Sequence, residues 1–251
     1  MSQTPPELSI IIPAFNEEKR LGGSLARIRG YFDAHPPGPG GIEIIVVDDG
    51  STDSTARLTE EWARQMPSLR LVLNNENRGK GYSVRHGMLE ARGRIALFTD
   101  ADLSSPIEES EKLFDAIRAG NDVAIGSRAL DRSLIAVHQS RFREIAGIIF
   151  NGLVRLFTGL PFEDTQCGFK AFARERSRII FEQQRTERFG FDPEILFLAQ
   201  RHGLPSAEIP VRWAHDSATK VHLLRDSLPM FADLIRIRWN VLSGRYPKPR
   251  S

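Results

Sequence analysis

Two aspartates stand two residues apart in "ALFTDADLSSP", residues 96–106. An apolar run that reads as a buried strand delivers Asp100 and Asp102 to one place, and two carboxylates there need something positive beside them. Asp-x-Asp at a strand's end suits a hard divalent cation: Mg2+ prefers carboxylates plus substrate phosphate oxygens, with waters retained. Two carboxylates are a weak site by themselves, so the substrate must supply further ligands, which points to a nucleoside diphosphate. A metal held there neutralises charge on a departing diphosphate as a Lewis acid. The plainer use of these residues is capping, with Asp102 or Ser104 closing the N-terminus of a helix that begins at Pro106. A second acidic pair, Asp48–Asp49 in "VVDDGSTDST", ends another apolar run. Two acidic clusters facing one crevice favour the metal reading.

Bringing those clusters together requires a particular scaffold. Leu8–Ile12, Ile42–Val47, Leu69–Leu73, Ile95–Thr99 and Val123–Gly126 are short apolar runs that read as buried strands. Helical spacing lies between them: Leu21, Leu25, Ile28 and Phe32 in one segment, then Ala56, Leu58, Trp62 and Ala63 behind a cap at Ser51 or Asp53. Further helices are predicted at Tyr82–Ala91, after the Gly-rich "NNENRGKG", and at Ile107–Ala119. Strands alternating with helices mean a mainly parallel sheet with helices on both faces. Ligands of such sheets bind beyond the carboxyl ends of the strands. "PAFNE", "DDGS", "TDADL" and "GSR" follow the first, second, fourth and fifth strands, so the polar clusters converge on that edge.

Past Ser127 the alternation stops. Residues 145–157 read as a helix apolar on most sides, a second helix is expected from near Pro193, and "AEIPVRW" reads as one short strand. The C-terminal run is apolar and basic, interrupted by Pro229.

Composition bounds the function classes. The 251 residues are 41% hydrophobic and 26% charged with a formal charge of +2, which excludes a disordered chain and gives no global attraction to nucleic acid. The single Cys167 forms no internal disulfide and fits a reducing compartment. "MSQTPPE" running into "LSIIIP" predicts no signal peptide, and the lack of an apolar run of about eighteen residues predicts no spanning helix. A Rossmann dehydrogenase is excluded because no GxGxxG follows the first strand. His86, His138, His202, His215 and His222 lack metal-ligand spacing.

"IIPAFNEE", "VVDDGSTDST", "NRGKG", "TDADL", "GSR" and "DTQCGFKAF", in this order, resemble the GT-A-type inverting glycosyltransferases. Within them the chain is similar to the polyprenyl-phosphate sugar transferases, and most similar to the dolichyl-phosphate β-glucosyltransferases. "RGKG", "DTQCGFK" and "FDPEILFLAQ" carry the glucosyl part of that resemblance. It implies an α/β, Rossmann-like GT-A sheet plus C-terminal amphipathic membrane-surface helices. Residues 1–220 would form the transferase domain and 221–251 a basic amphipathic segment at the membrane interface.

The resemblance also implies roles. Pro13, Ala14, Phe15, Glu17 and Asp49 hold the nucleotide base and ribose; Lys80, Asp100, Ala101, Asp102 and Lys220 complete the nucleotide-sugar site. Asp100 and Asp102 hold Mg2+ or Mn2+. Arg128 and Arg143 bind the acceptor phosphate, with Arg141 the next candidate to Arg143. Asp102, Arg128 and Asp164 form the catalytic set, Asp164 either orienting Arg128 or serving as a base. Two departures stand out. Mannosyl relatives read "DADLQ", where this chain has Ser104. Relatives also carry an Arg six residues before the Lys matched by Lys220, where this chain has Ala214, with Arg212 nearby as a substitute.

The implied reaction moves glucose from UDP-glucose to a polyprenyl phosphate with inversion. A phosphate monoester is already ionised near neutral pH, its second pKa being about 6, so it needs positioning more than a base. Arginine suits that task through its planar fork. The alternatives are transfer of another sugar such as mannose or N-acetylglucosamine, transfer to a soluble hydroxyl with Asp164 as base, and a non-enzymatic nucleotide-sugar-binding module. The expected partners are a UDP-sugar, a polyprenyl phosphate, a membrane surface, and a membrane-anchored protein or a second copy of the chain. Arg225, Arg236, Arg238 and Arg245 beside Leu228, Phe231, Leu234 and Trp239 give the C-terminal run the composition of an interfacial helix. The expected location is the cytoplasmic face of a membrane, held peripherally.

Overall fold

The computed structural model describes residues 5–137, 140–214 and 223–247, those at 141–143 and 223–227 by backbone alone. In chain order the first half runs β1 (Leu8–Ala14), α1 (Leu21–Ala34), β2 (Ile42–Asp48), α2 (Thr55–Gln65), β3 (Leu69–Leu73), α3 (Lys80–Glu90), β4 (Ile95–Thr99), α4 (Ser110–Arg118) and β5 (Val123–Ser127). The second half runs β6 (Ile135–Val137), α5 (Arg141–Thr158), β7 (Phe169–Ala173), α6 (Arg174–Gln183), α7 (Phe191–Arg201), β8 (Ser206–Pro210), β9 (Trp213–Ala214) and α8 (Leu223–Leu242). Seven strands form one sheet in the order β3-β2-β1-β4-β7-β5-β8, and β6 pairs with β9 apart from it.

Ile10, Ile11 and Ile12 of β1 are all fully buried, because this central strand is covered on both faces. One face packs Leu21, Leu25 and Ile28 of α1 and Leu113 and Phe114 of α4 against Ile10, Ile44 and Leu97. The other packs Val84 of α3, Ile180 of α6 and Ile195 of α7 against Ile11, Ile45 and Phe98. Each such side chain contributes about 1.5–3 kcal/mol by leaving water. The chain winds outward from β1 to β3 and returns to β4 on the other side of β1. That reversal opens a crevice at the carboxyl ends of β1 and β4.

The structure departs from the sequence reading after β5. β7 pairs antiparallel with both β4 and β5, with Phe169 opposite Thr99. Its N-terminal end therefore lies at the carboxyl edge of the parallel strands, and "DTQCG" is delivered beside "TDADL". The sequence reading assigns no element to Phe169–Ala173. "AEIPVRW" is not one strand: β8 extends the main sheet beside β5, whereas Trp213 and Ala214 pair with β6. The helix at Ile107–Ala119 begins as a 3-10 turn at Ile107–Glu109 and turns α-helical at Ser110.

α8 continues through Pro229 instead of breaking there. Its Leu234 and Ile237 are buried in the same core as α3 and α7. Its other face leaves Leu228, Ile235, Trp239 and Leu242 exposed, and neighbouring α5 leaves Ile145, Ile148, Ile149 and Leu156 exposed. Among the described residues no helix is long and apolar enough to cross a membrane.

Candidate active site

The ends of β1, β2 and β4 and the first turn of α3 surround a cavity of about 970 Å³. Pro13, Ala14, Phe15 and Glu17 form the wall beyond β1. Asp49, Lys80, Asp100, Ala101 and Asp102 line it from the neighbouring strand and helix ends. The facing wall comes from Arg188, Phe189, Met230 and Asp233, so α8 closes the cavity on that side.

The "TDADL" turn is locally unusual. Leu103 has φ of 49°, an uncommon conformation for a residue with a branched side chain, and its N–H donates to the Asp100 carbonyl at 3.1 Å. The reversal buries Leu103 in the core while Asp100 and Asp102 face the cavity. Gly168, at the start of β7, lies against Asp100: a Cβ there would stand 2.2 Å from its Oδ2. Only glycine leaves that carboxylate its position.

Both aspartates have charged partners in the protein. Lys80 Nζ lies 2.5 Å from Asp100 Oδ1. Burial alone would lower the Lys80 pKa, but Asp100, Asp192 and Asp102 around it raise it. Asp102 Oδ1 accepts from the Ser104 N–H and hydroxyl, each at 2.9 Å, and Oδ2 lies 3.6 Å from Arg20. Burial and repulsion from Asp100 push the Asp102 carboxyl up, against the pull of Ser104 and Arg20. Arg20 is itself held by Glu17, Nε and Nη2 each 2.7 Å from a carboxylate oxygen. Glu17 is thus a buried member of an ion-pair network, not a solvated first-turn carboxylate.

Asp49 is engaged from the opposite side. Its carboxylate accepts from Asn74 Nδ2 at 2.7 Å, from the Arg78 N–H at 3.2 Å and from the Gly79 N–H at 2.7 Å. The two backbone bonds fix the "NRGKG" loop and aim α3, with Lys80 at its first position, into the crevice. Gly79 has φ of +112°, and a Cβ there would meet the Glu187 carbonyl at 2.7 Å, so the loop needs glycine.

Arg128 and Asp164 lie beyond the cavity wall, at the end of β5. Arg128 donates from Nε to Oδ2 at 2.7 Å and from Nη2 to Oδ1 at 2.8 Å, and its backbone N–H adds a third bond at 3.0 Å. The guanidinium also lies 5.3 Å from the Trp213 ring centroid. Burial works to raise the Asp164 pKa, but the charge and hydrogen bonds of Arg128 overcome it and hold the carboxyl at about 2. A carboxylate this acidic is a poor general base.

A pH-dependent stability follows. A folded pKa below the unfolded value makes a contribution that is complete above the unfolded pKa of 3.8 and is lost as pH falls toward 2. Its size is about 2 kcal/mol. Urea unfolding of the parent and Asp164→Asn should therefore show a stability difference that is flat from pH 5 to 8 and shrinks below pH 4. A difference that grows on acidification would contradict the ion pair.

Residues 9–175 match glycosyl transferase family 2. The chain belongs to this family. It is 39% identical to a dolichyl-phosphate β-glucosyltransferase of Drosophila melanogaster, over 96% of this chain and 77% of that one. A protein of the same name from Dictyostelium discoideum is 37% identical over 94% of this chain and 75% of its own length. Among solved structures, the mannosyltransferase of Pyrobaculum calidifontis in complex with GDP-Man and Mn2+ superimposes with a TM-score of 0.60 at 21% identity. The match covers 93% of this chain and 65% of that one. The fold is GT-A-like, and the protein is a glycosyltransferase.

In this family 2 transferase the residues expected at the donor site, from Pro13 to Asp102, share one cavity, and Arg128 and Asp164 pair with each other outside its lining. The side chain of Arg143 and all of Lys220 lie outside the described residues. Arg212 does not reach the cavity: it pairs with Glu109, which Lys112 also holds at 2.6 Å. Sequence reasoning missed Arg20, Arg188, Phe189 and Asp233 on the cavity wall, and the buried Lys170–Asp192 pair behind it. Lys170 inside "GFKAF" was the available signal, since a lysine in a core strand requires a partner.

Proposed function

We propose that this transferase moves glucose from UDP-glucose to a dolichyl-type polyprenyl phosphate, with inversion, giving the β-glucosyl phospholipid. The observation that carries the reading is identity of 37–39% to dolichyl-phosphate β-glucosyltransferases over at least 94% of the chain. In this assignment Phe15, Glu17 and Asp49 line the nucleoside end of the cavity, and Asp100, Asp102 and Lys80 face the diphosphate. Among the described residues no three His, Cys, Asp or Glu side chains stand together as a complete metal site. The donor set is nevertheless two hard carboxylates at one turn, which suits Mg2+ or Mn2+ completed by diphosphate oxygens. Bound there, the ion supplies Lewis-acid neutralisation of the diphosphate.

Arg128 holds the acceptor phosphate. Asp164 takes two of its five guanidinium N–H groups, which fixes the plane and leaves Nη1 and the second Nη2 hydrogen for phosphate oxygens. The phosphate oxygen is the nucleophile. It forms the new bond to the anomeric carbon from the side opposite UDP, the bond to the UDP oxygen breaks with its electron pair, and α-linked glucose becomes β-linked. The ionised acceptor has no proton to give up, which agrees with Asp164 being committed to Arg128. The exposed apolar faces of α5 and α8 would rest on the membrane that holds the lipid, with α8 reaching from that surface to the cavity wall. We place this surface on the cytoplasmic side.

A panel of nucleotide sugars with a short polyprenyl phosphate tests the reading. UDP-glucose should give the highest kcat/KM, ahead of UDP-N-acetylglucosamine and GDP-mannose. A higher value for GDP-mannose would overturn the glucosyl assignment, and transfer to water-soluble hydroxyl acceptors alone would overturn the lipid phosphate.

A further inference from the structure

Three ion pairs belong to this region: Lys80 with Asp100, Lys170 with Asp192, and Arg128 with Asp164. The first lines the cavity and the last lies beyond its wall. The middle pair is buried: Lys170 is 0% exposed and Asp192 4%. Lys170 Nζ also donates to the Cys167 carbonyl at 2.6 Å and lies 5.3 Å from the Phe98 ring centroid. Its strand position faces Phe98, two residues before Asp100. Asp192 is the second residue of α7, whose first residue packs on the start of α3: a Cβ on Gly81 would stand 2.7 Å from that of Phe191. Asp192, the residue after Phe191, is thus set near the turn that carries Lys80. A buried ion pair gives little stability over apolar residues of the same volume, so this one calls for another role.

We infer that the Lys170–Asp192 pair is a positioning element for the donor site. Lys170 anchors Asp192 to β7, and Asp192 holds the Lys80 ammonium at Asp100, where it meets the donor diphosphate. The inference rests on the assignment of Lys80 and Asp100 to that diphosphate. Lys170 and Asp192 touch no substrate in this arrangement and act only through Lys80. Nothing in the reaction requires them to gain or lose a proton.

The test is a cycle on UDP affinity in the presence of Mn2+, measured by calorimetry. Lys170→Met/Asp192→Asn removes both charges together, because either change alone leaves an uncompensated buried charge. This variant should keep the parent's cooperative melting and weaken UDP binding about ten- to a hundred-fold. In a Lys80→Met background the same two changes should add no more than about a two-fold loss. Equal losses in both backgrounds would mean a merely structural role and overturn the inference, while leaving the donor assignment of Lys80 intact. Parental UDP affinity in the charge-free variant would also overturn it. If Lys80→Met by itself leaves UDP affinity unchanged, the donor assignment of Lys80 falls and the inference falls with it. Should the charge-free variant not fold, the pair serves the fold itself, and the inference is again overturned.

Discussion

Asp102→Ala is expected to remove nearly all turnover, on the order of a hundred- to a thousand-fold, together with the metal-dependent part of UDP binding. The geometry explains why one carboxylate matters so much. Asp100 is already in contact with Lys80 at 2.5 Å, so Asp102 is the second hard oxygen donor at the turn. Ser104 fixes Oδ1 through two bonds, which leaves Oδ2 to the cavity and Arg20. On the proposed donor assignment, a diphosphate leaving without that carboxylate would have its charge poorly neutralised. Asp102→Asn separates charge from shape: it can keep contact with Ser104 but loses the anion, and it should be nearly as slow as the alanine variant. Initial rates against Mn2+ concentration, with calorimetry of UDP with and without the ion, check both. Undiminished parental activity in EDTA would refute the metal assignment. So would an Asp102→Asn enzyme that works at the parental rate.

Arg128→Lys should lower kcat/KM for the lipid phosphate by about ten- to a hundred-fold, the loss of one charge-assisted bond of about 1.5–3 kcal/mol. Arg128→Ala should lower it further. The fork of Arg128 is what Asp164 holds, through Nε and Nη2 at 2.7 and 2.8 Å. A lysine keeps the charge but cannot occupy both carboxylate oxygens and present a planar face of donors at the same time. Asp164→Asn should reproduce part of the defect by releasing the arginine, and its effect should largely vanish in the Arg128→Ala background. UDP affinity should change little in any of these variants, since Arg128 lies outside the donor cavity wall. Titrating each substrate separately decides the matter. A collapse of donor affinity with unaltered acceptor kinetics would move Arg128 to the nucleotide side.

The alternation of apolar runs with helical spacing was enough to place the first five strands within a residue or two. A strand buried on both faces must be apolar throughout, and a parallel neighbour must be reached through a helix. The same logic put "PAFNE", "DDGS", "TDADL" and "GSR" at one edge, because in a parallel sheet every strand delivers its following loop to the same side. Local chemistry therefore placed Asp100, Asp102 and Arg128 at that edge before any contact was known.

Tertiary structure decided what those side chains touch. The antiparallel insertion of β7 between β4 and β5 sets Gly168 against Asp100 and brings Asp164 to Arg128, although 36 residues separate that arginine from its partner. No local pattern announces such an insertion, since strand direction follows from how the chain returns, not from side-chain alternation. Lys170 illustrates the limit most clearly. Read along the chain, it breaks an apolar run and argues against a buried strand. In the fold Asp192, 22 residues away, compensates its charge and makes the strand possible. Ion pairs depend on distance through space and on the loss of water around them, and neither quantity is encoded at a single position.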